Sequence, residues 1–79
     1  MIHVKLTGQF IKLAPEGNNK GFFNTDYESG LTISRLIQRL GVKELRINYS
    51  VLVNNTRKPD DYVLSDSDTV LVIPLLAGG

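Results

Sequence analysis

The chain has 79 residues and a mass of 8.8 kDa. Surface scaling lets a chain of this size bury roughly 63% of its open-chain surface, enough for one thin core, so a second domain and a deep self-walled active-site cavity are excluded. Nine Lys and Arg against eight Asp and Glu leave a net charge of +1, which offers neither a basic field for nucleic acid nor an acidic tail. Cysteine is absent, which removes disulfides, thiolate zinc sites and cysteine nucleophiles together and fits a reducing cytoplasm. The longest apolar run, around Val70 to Pro74, is far short of the ~20 residues that span a bilayer, and the alternating start Met1 to Lys5 is no signal peptide.

Ile2, Val4 and Leu6 alternate with His3, Lys5 and Thr7, the period of a half-buried strand, and Gly8 breaks it. Phe10, Ile11, Leu13 and Ala14 predict one short helical turn before a loop around Pro15 to Asn19. Phe22 to Tyr27 reads as a second strand, its Phe22, Phe23 and Tyr27 serving core and edge packing. After a turn at Glu28-Ser29-Gly30, Ile33, Leu36, Ile37 and Leu40 fall at i, i+3, i+4 and i+7, one stripe of a helix. Thr32 is its expected N-cap, Gly41 its left-handed terminator, and Arg35 and Arg39 lie on its solvated face. Ile47 to Val53 alternates as a third strand ending in an Asn54-Asn55 turn. Thr56 to Leu64, broken by Pro59, reads as an edge strand or a helical turn, and Ser65 to Asp68 as another turn. Thr69 to Ile73 is apolar on both faces, as a central strand is, and Pro74 is expected to end sheet pairing. A helix on one face of a mixed sheet covers these stripes, an α+β arrangement that becomes a ubiquitin-like β-grasp if the first and last strands pair. Residues 1–79 then form one domain with a tail at 74–79.

Side chains give little sign of catalysis. His3 is the only histidine and has no second ligand beside it, and no metal site is expected. Asp60-Asp61 and Asp66-x-Asp68 lack the donor spacing and bend glycine of a calcium loop and read as turn residues bonding their own backbone. No phosphate-cradling glycine motif or Ser-His-Asp set is present, so the chain reads as a non-enzyme. The end is unusual, because Ile73 and Pro74 run into Leu75, Leu76, Ala77, Gly78 and Gly79. Two glycines can lie extended in a slot too narrow for other residues, which makes the Gly79 α-carboxylate the candidate reactive group. Ordering such a tail costs about 1–2 kcal/mol per residue, which burial of Leu75 and Leu76 in a partner would offset at about 1.5–3 kcal/mol each. If Val51, Val53, Val70 and Val72 face the helix, alternation turns Leu52, Leu71 and Ile73 to the other sheet face as an apolar docking patch beside the tail. Lys43, Arg46 and Arg57 offer charge complementarity there, and the sequence does not fix which of them acts.

Val51-Leu52-Val53-Asn54-Asn55, Leu64-Ser65-Asp66-Ser67-Asp68-Thr69-Val70 and Ile73-Pro74-Leu75-Leu76-Ala77-Gly78-Gly79 together resemble the sulfur-carrier family that contains the small subunit of molybdopterin synthase and the thiamine sulfur carrier. The family writes valine-asparagine-glycine, leucine-x-aspartate-glycine-aspartate-x-valine and an apolar, proline-containing stretch ending in Gly-Gly. Here Asn55 and Ser67 stand where glycine is usual, and Leu75 stands where molybdopterin members commonly have a second proline. The resemblance implies that a ubiquitin-activating-type adenylyltransferase, using ATP and magnesium, converts the Gly79 carboxylate to an acyl-adenylate. A persulfide or sulfide then displaces AMP to leave a thiocarboxylate. The recipient would be the molybdopterin synthase large subunit, or a thiazole synthase in the thiamine branch, and length and Pro74 favour the former. The alternative is a ubiquitin-like modifier joined to lysines through Gly79; a scaffold with a merely docking tail is the third reading.

Overall fold

The computed structural model describes residues 1–15 and 20–75. Five strands form one mixed sheet: β1 (Ile2–Leu6), β2 (Phe22–Thr25), β3 (Tyr49–Val53), β4 (Thr56–Arg57) and β5 (Thr69–Pro74), in the spatial order β2-β1-β5-β3-β4. The first and last strands pair in parallel, Val4 opposite Val70 and Leu6 opposite Val72, and the other pairings are antiparallel. With helix α1 (Ile33–Leu40) the order is that of the β-grasp fold.

The alternation of the strands sets the two faces. Ile2, Val4, Leu6, Val51, Val53, Val70 and Val72 are buried, and they meet Phe10, Leu31, Ile33, Leu36, Ile37, Val42 and Leu64 in one core. The apolar stripe of α1 supplies Ile33, Leu36 and Ile37, each worth about 1.5–3 kcal/mol once removed from water. An eight-residue helix is too short to persist alone, so this burial and its end caps hold it. Thr32 caps it, its Oγ1 accepting the Arg35 N–H at 3.2 Å. The N–H groups of Ile33 and Ser34 donate to the carbonyls of Tyr62 and Asp60, and Gly41 ends the helix at φ 78°.

Several boundaries differ from the sequence reading. The second strand stops at Thr25 and the third begins at Tyr49. Phe23 and Tyr27 pack against the core, but Phe22 is 55% exposed on the opposite face. The turn expected after Gly8 is a 3-10 helix, Gly8–Leu13, with Phe10 buried. The Thr56 to Leu64 segment is a two-residue strand, then the loop that caps α1, then an isolated bridge between Val63 and Thr32. Arg39 is no free surface cation, because its guanidinium donates to the Asp26 carbonyl and pairs with Glu28 at 2.9 Å.

Pro74 does not end the sheet. It pairs with Tyr49, and the next residue continues the ladder through Leu75 N–H to the Asn48 carbonyl at 2.7 Å. Odd-numbered residues of β5 turn their backbone groups toward β3, as Thr69 and Leu75 do, whereas even-numbered ones face β1. The missing donor of Pro74 therefore points toward β1 beyond its last paired residue, Leu6, and costs the ladder no bond.

The far end of β3 and β5 is closed by a side-chain clamp. Val53 pairs with Thr56, leaving Asn54 (φ 50°) and Asn55 (φ 71°) as a two-residue hairpin turn with both residues left-handed. Asn54 Nδ2 donates to Asp68 at 2.9 Å while its Oδ1 accepts the Thr69 N–H at 3.0 Å. Asp68, 7% exposed, also accepts the Ser65 N–H at 2.7 Å, and Ser67 takes φ 72°. Among the described residues Asn55 has no such partner, so Asn55→Gly should relieve left-handed strain and raise stability by about 0.5 kcal/mol net of glycine's chain entropy. Asn54→Gly should instead lower it by about 2 kcal/mol, because two side-chain bonds go with it. Paired urea melts of the two variants check this, and equal midpoints would contradict the clamp.

Candidate functional site

The face of the sheet turned away from α1 is uncovered by any described element. Cross-strand register lines up one row over all five strands: Phe22, Lys5, Leu71, Leu52 and Arg57. Ser50 lies opposite Ile73 in the next row toward the tail. Leu52, Leu71 and Ile73 are half-buried, because neighbouring side chains on the same face cover part of each. The alternation that buries Val51, Val53, Val70 and Val72 thus leaves three aliphatic side chains together on the open face.

Around this apolar centre the chemistry is polar and basic. Lys5 Nζ sits 4.3 Å from the centroid of the Phe22 ring, and His3 Nδ1 is 2.7 Å from Asn24 Oδ1. His3, Lys5, Phe22, Asn55, Thr69 and Leu71 line a shallow depression of about 290 Å³. Phe22 and Lys5 are additions to the patch that single-strand alternation did not place there. Their membership follows from the pairing of β2 with β1, which no one strand reveals.

Beyond Ile73 the strand runs on through Pro74 to Leu75 between firm supports. Pro74 is half-buried, and a Cβ built on Gly8 (φ 55°) would come within 2.7 Å of Pro74 Cγ, so the start of the 3-10 helix seats directly on the proline ring. Leu75 is 42% exposed, with its N–H held by Asn48. The remaining tail candidates, Leu76, Ala77, Gly78 and Gly79, lie outside the described residues. Tyr49, opposite Pro74, donates its hydroxyl to Asp60 Oδ2 at 2.8 Å; burial and that carboxylate push its pKa up to about 12. Its phenol is therefore a fixed, neutral donor near pH 7 rather than an acid or base.

His3 is exposed, bonds the Asn24 amide and lies near enough to the Asp66 carboxylate to interact with its charge, so it has the surroundings of a surface residue. Asp66 pairs with the Met1 ammonium, which holds its carboxyl below the usual range. Among the described residues no group of three His, Cys, Asp or Glu side chains could hold a metal ion, and no helix is long and apolar enough to cross a membrane. What the arrangement offers is an open, partly apolar sheet face carried by the strand that runs into Leu75.

Comparison with known proteins agrees with the fold. A family model described as the ThiS family matches residues 4–79. The fold is similar to that of SAMP1 from Haloferax volcanii, with a TM-score of 0.72 at 16% identity over 99% of this chain and 98% of that one. A crystal structure of the H. volcanii small archaeal modifier protein 1 gives a TM-score of 0.76 at 15% identity, covering 95% of this chain and 97% of that one. No curated protein matches.

Proposed function

Since the chain belongs to the ThiS family of small ubiquitin-like sulfur carriers, we propose that it acts as a sulfur carrier through Gly79 and serves molybdopterin-type cofactor synthesis in the cytoplasm. The observation that carries the reading is the family match, which runs unbroken from the first strand through Gly79. The open face supports it, since Ile73 belongs both to the apolar patch and to the strand that ends in the tail.

In the proposed cycle a ubiquitin-activating-type partner supplies ATP, magnesium and the acid-base groups. The Gly79 carboxylate attacks the α-phosphorus and releases pyrophosphate. The resulting mixed anhydride turns a poor leaving group into AMP, a good one, and a sulfide nucleophile displaces it to leave the thiocarboxylate. This chain is the substrate of that enzyme and not itself a catalyst. Its own residues do three things: Leu52, Leu71 and Ile73 dock, Pro74 and Leu75 aim the tail with Leu76 and Ala77, and Gly78 and Gly79 fit the narrow reach to the nucleotide. A molybdopterin synthase large subunit is then the proposed recipient, with a thiazole synthase as the other branch.

The likeness in fold to a small archaeal modifier protein favours a second reading, in which Gly79 becomes bonded to lysines. Both readings share the adenylate step and part at the next nucleophile. Intact mass of the protein isolated from its host separates them. Replacement of one terminal oxygen by sulfur is the expected result; lysine adducts carrying a Gly-Gly remnant, with no thiocarboxylate, would establish the modifier instead.

A further inference from the structure

Beside the tail exit lies a second concavity, on the flank opposite the Phe22 end of the sheet. It measures about 460 Å³ and is lined by Lys43, Arg46, Ile47, Asn48, Tyr49 and Leu75. Its cations come from the second 3-10 helix, Val42–Leu45, which Arg46 terminates at φ 56° with its N–H donating to the Lys43 carbonyl at 3.1 Å. A 3-10 turn has three residues, so positions three apart line up, and Lys43 and Arg46 are brought to one side.

Both cations are exposed, and neither has a hydrogen bond, ion pair or ring contact among the described residues. Lys5 lies over Phe22, Lys58 over Tyr62, and Arg39 binds Glu28; Lys12, Lys20, Arg35 and Arg57 have no such partner among the described residues either, but none of them lines the cleft. The nearby acids do not line the cleft. Glu44 Oε2 lies 3.8 Å from the position a Gly41 Cβ would take, at the end of α1, and Asp60 is engaged with the Tyr49 hydroxyl. Asn48 lines the cleft and its carbonyl holds the Leu75 N–H, so the cleft and Leu75 are fixed to each other. Two uncompensated positive charges therefore stand beside Leu75, where the described chain runs toward Gly79.

We propose that the Lys43–Arg46 cleft binds an acidic surface segment of the tail-activating partner, at the mouth of the slot the tail enters, and steers the tail into it. The identity of that partner rests on the carrier reading above. The apolar patch and the cleft then act differently. The patch supplies affinity by burial, and the cleft supplies orientation and on-rate, as complementary charges at an interface do.

Two measurements test this. Isotope-labelled full-length protein is titrated at low salt with a blocked hexaglutamate peptide. The expected amide shifts cluster at 43–49 and 75 and vanish in a Lys43→Glu/Arg46→Glu variant; shifts centred instead on Lys5 and Arg57, or no shifts, overturn the proposal. In ATP–pyrophosphate exchange with the host's adenylating enzyme, the same variant should raise KM for the carrier by about tenfold at low salt with kcat unchanged. The difference should shrink as added salt shortens the screening length. Lys43→Glu alone should give an intermediate KM, and Arg35→Glu, on α1, none of the effect. An unchanged KM in the double variant overturns the proposal. If the wild-type chain supports no exchange while the peptide still maps to the cleft, the carrier reading falls and the acid-binding cleft stands.

Discussion

Asp68→Ala is expected to lower the free energy of unfolding by about 3 kcal/mol, because Asp68 is the one buried polar residue among those described. The carboxylate is 7% exposed and accepts two hydrogen bonds, from Asn54 Nδ2 and the Ser65 N–H. Bonds to a charged acceptor are worth about 1.5–3 kcal/mol each, and removing the acceptor also strands both donors in a partly buried place. In a domain this small such a loss would lower Tm by about 15 °C. Asp68→Asn keeps the shape and one acceptor oxygen, and should lose roughly half as much. Urea and thermal melts followed by circular dichroism check both variants, and a loss below about 1 kcal/mol for the alanine would show that the clamp is not what closes the β3–β5 end.

Leu71→Asp should have the opposite profile, a folded protein that its partner no longer accepts. Leu71 is central in the cross-strand row, between Lys5 on β1 and Leu52 on β3. Because Lys5 lies directly opposite, a carboxylate at 71 gains a cation on the surface, and the fold should lose no more than about 1 kcal/mol. In a complex that buries the patch, the same carboxylate loses its water, which should weaken binding by about 30-fold. Titration calorimetry against the adenylating enzyme, alongside an unfolding curve, measures both quantities. Unaltered affinity would place the docking surface elsewhere.

The elements that periodicity marks strongly were legible in the chain. The i, i+3, i+4, i+7 stripe of α1 and its two end residues, Thr32 and Gly41, required only local information, and the structure has them at those positions. The buried valines were legible for the same reason, as strict alternation leaves no other face for them. Pro74 was misread because a proline's cost depends on which neighbour its nitrogen faces, a property of the sheet and not of the residue. The 60–62 loop looked like a poor strand because its backbone serves a helix almost thirty residues earlier, through Asp60 and Tyr62 carbonyls. Arg39 resembled a solvated charge because its partners, Asp26 and Glu28, lie in a loop whose path the sequence does not specify. For the candidate site, Leu52, Leu71 and Ile73 followed from alternation, whereas Phe22, Lys5 and the Lys43–Arg46 pair became neighbours only through strand order and a 3-10 turn.

The seating of Pro74 against Gly8 has a consequence for how the chain end is presented. The ring fixes φ at 74, the 3-10 helix blocks sideways displacement, and the bond to Asn48 anchors the next peptide unit. Through Leu75 the direction of the strand is thereby tied to the sheet, and the two form one rigid unit. On the carrier reading, an enzyme that takes up this segment would meet a direction already set at Pro74 and Leu75, and would be spared the roughly 2–4 kcal/mol of backbone entropy that ordering those two residues demands.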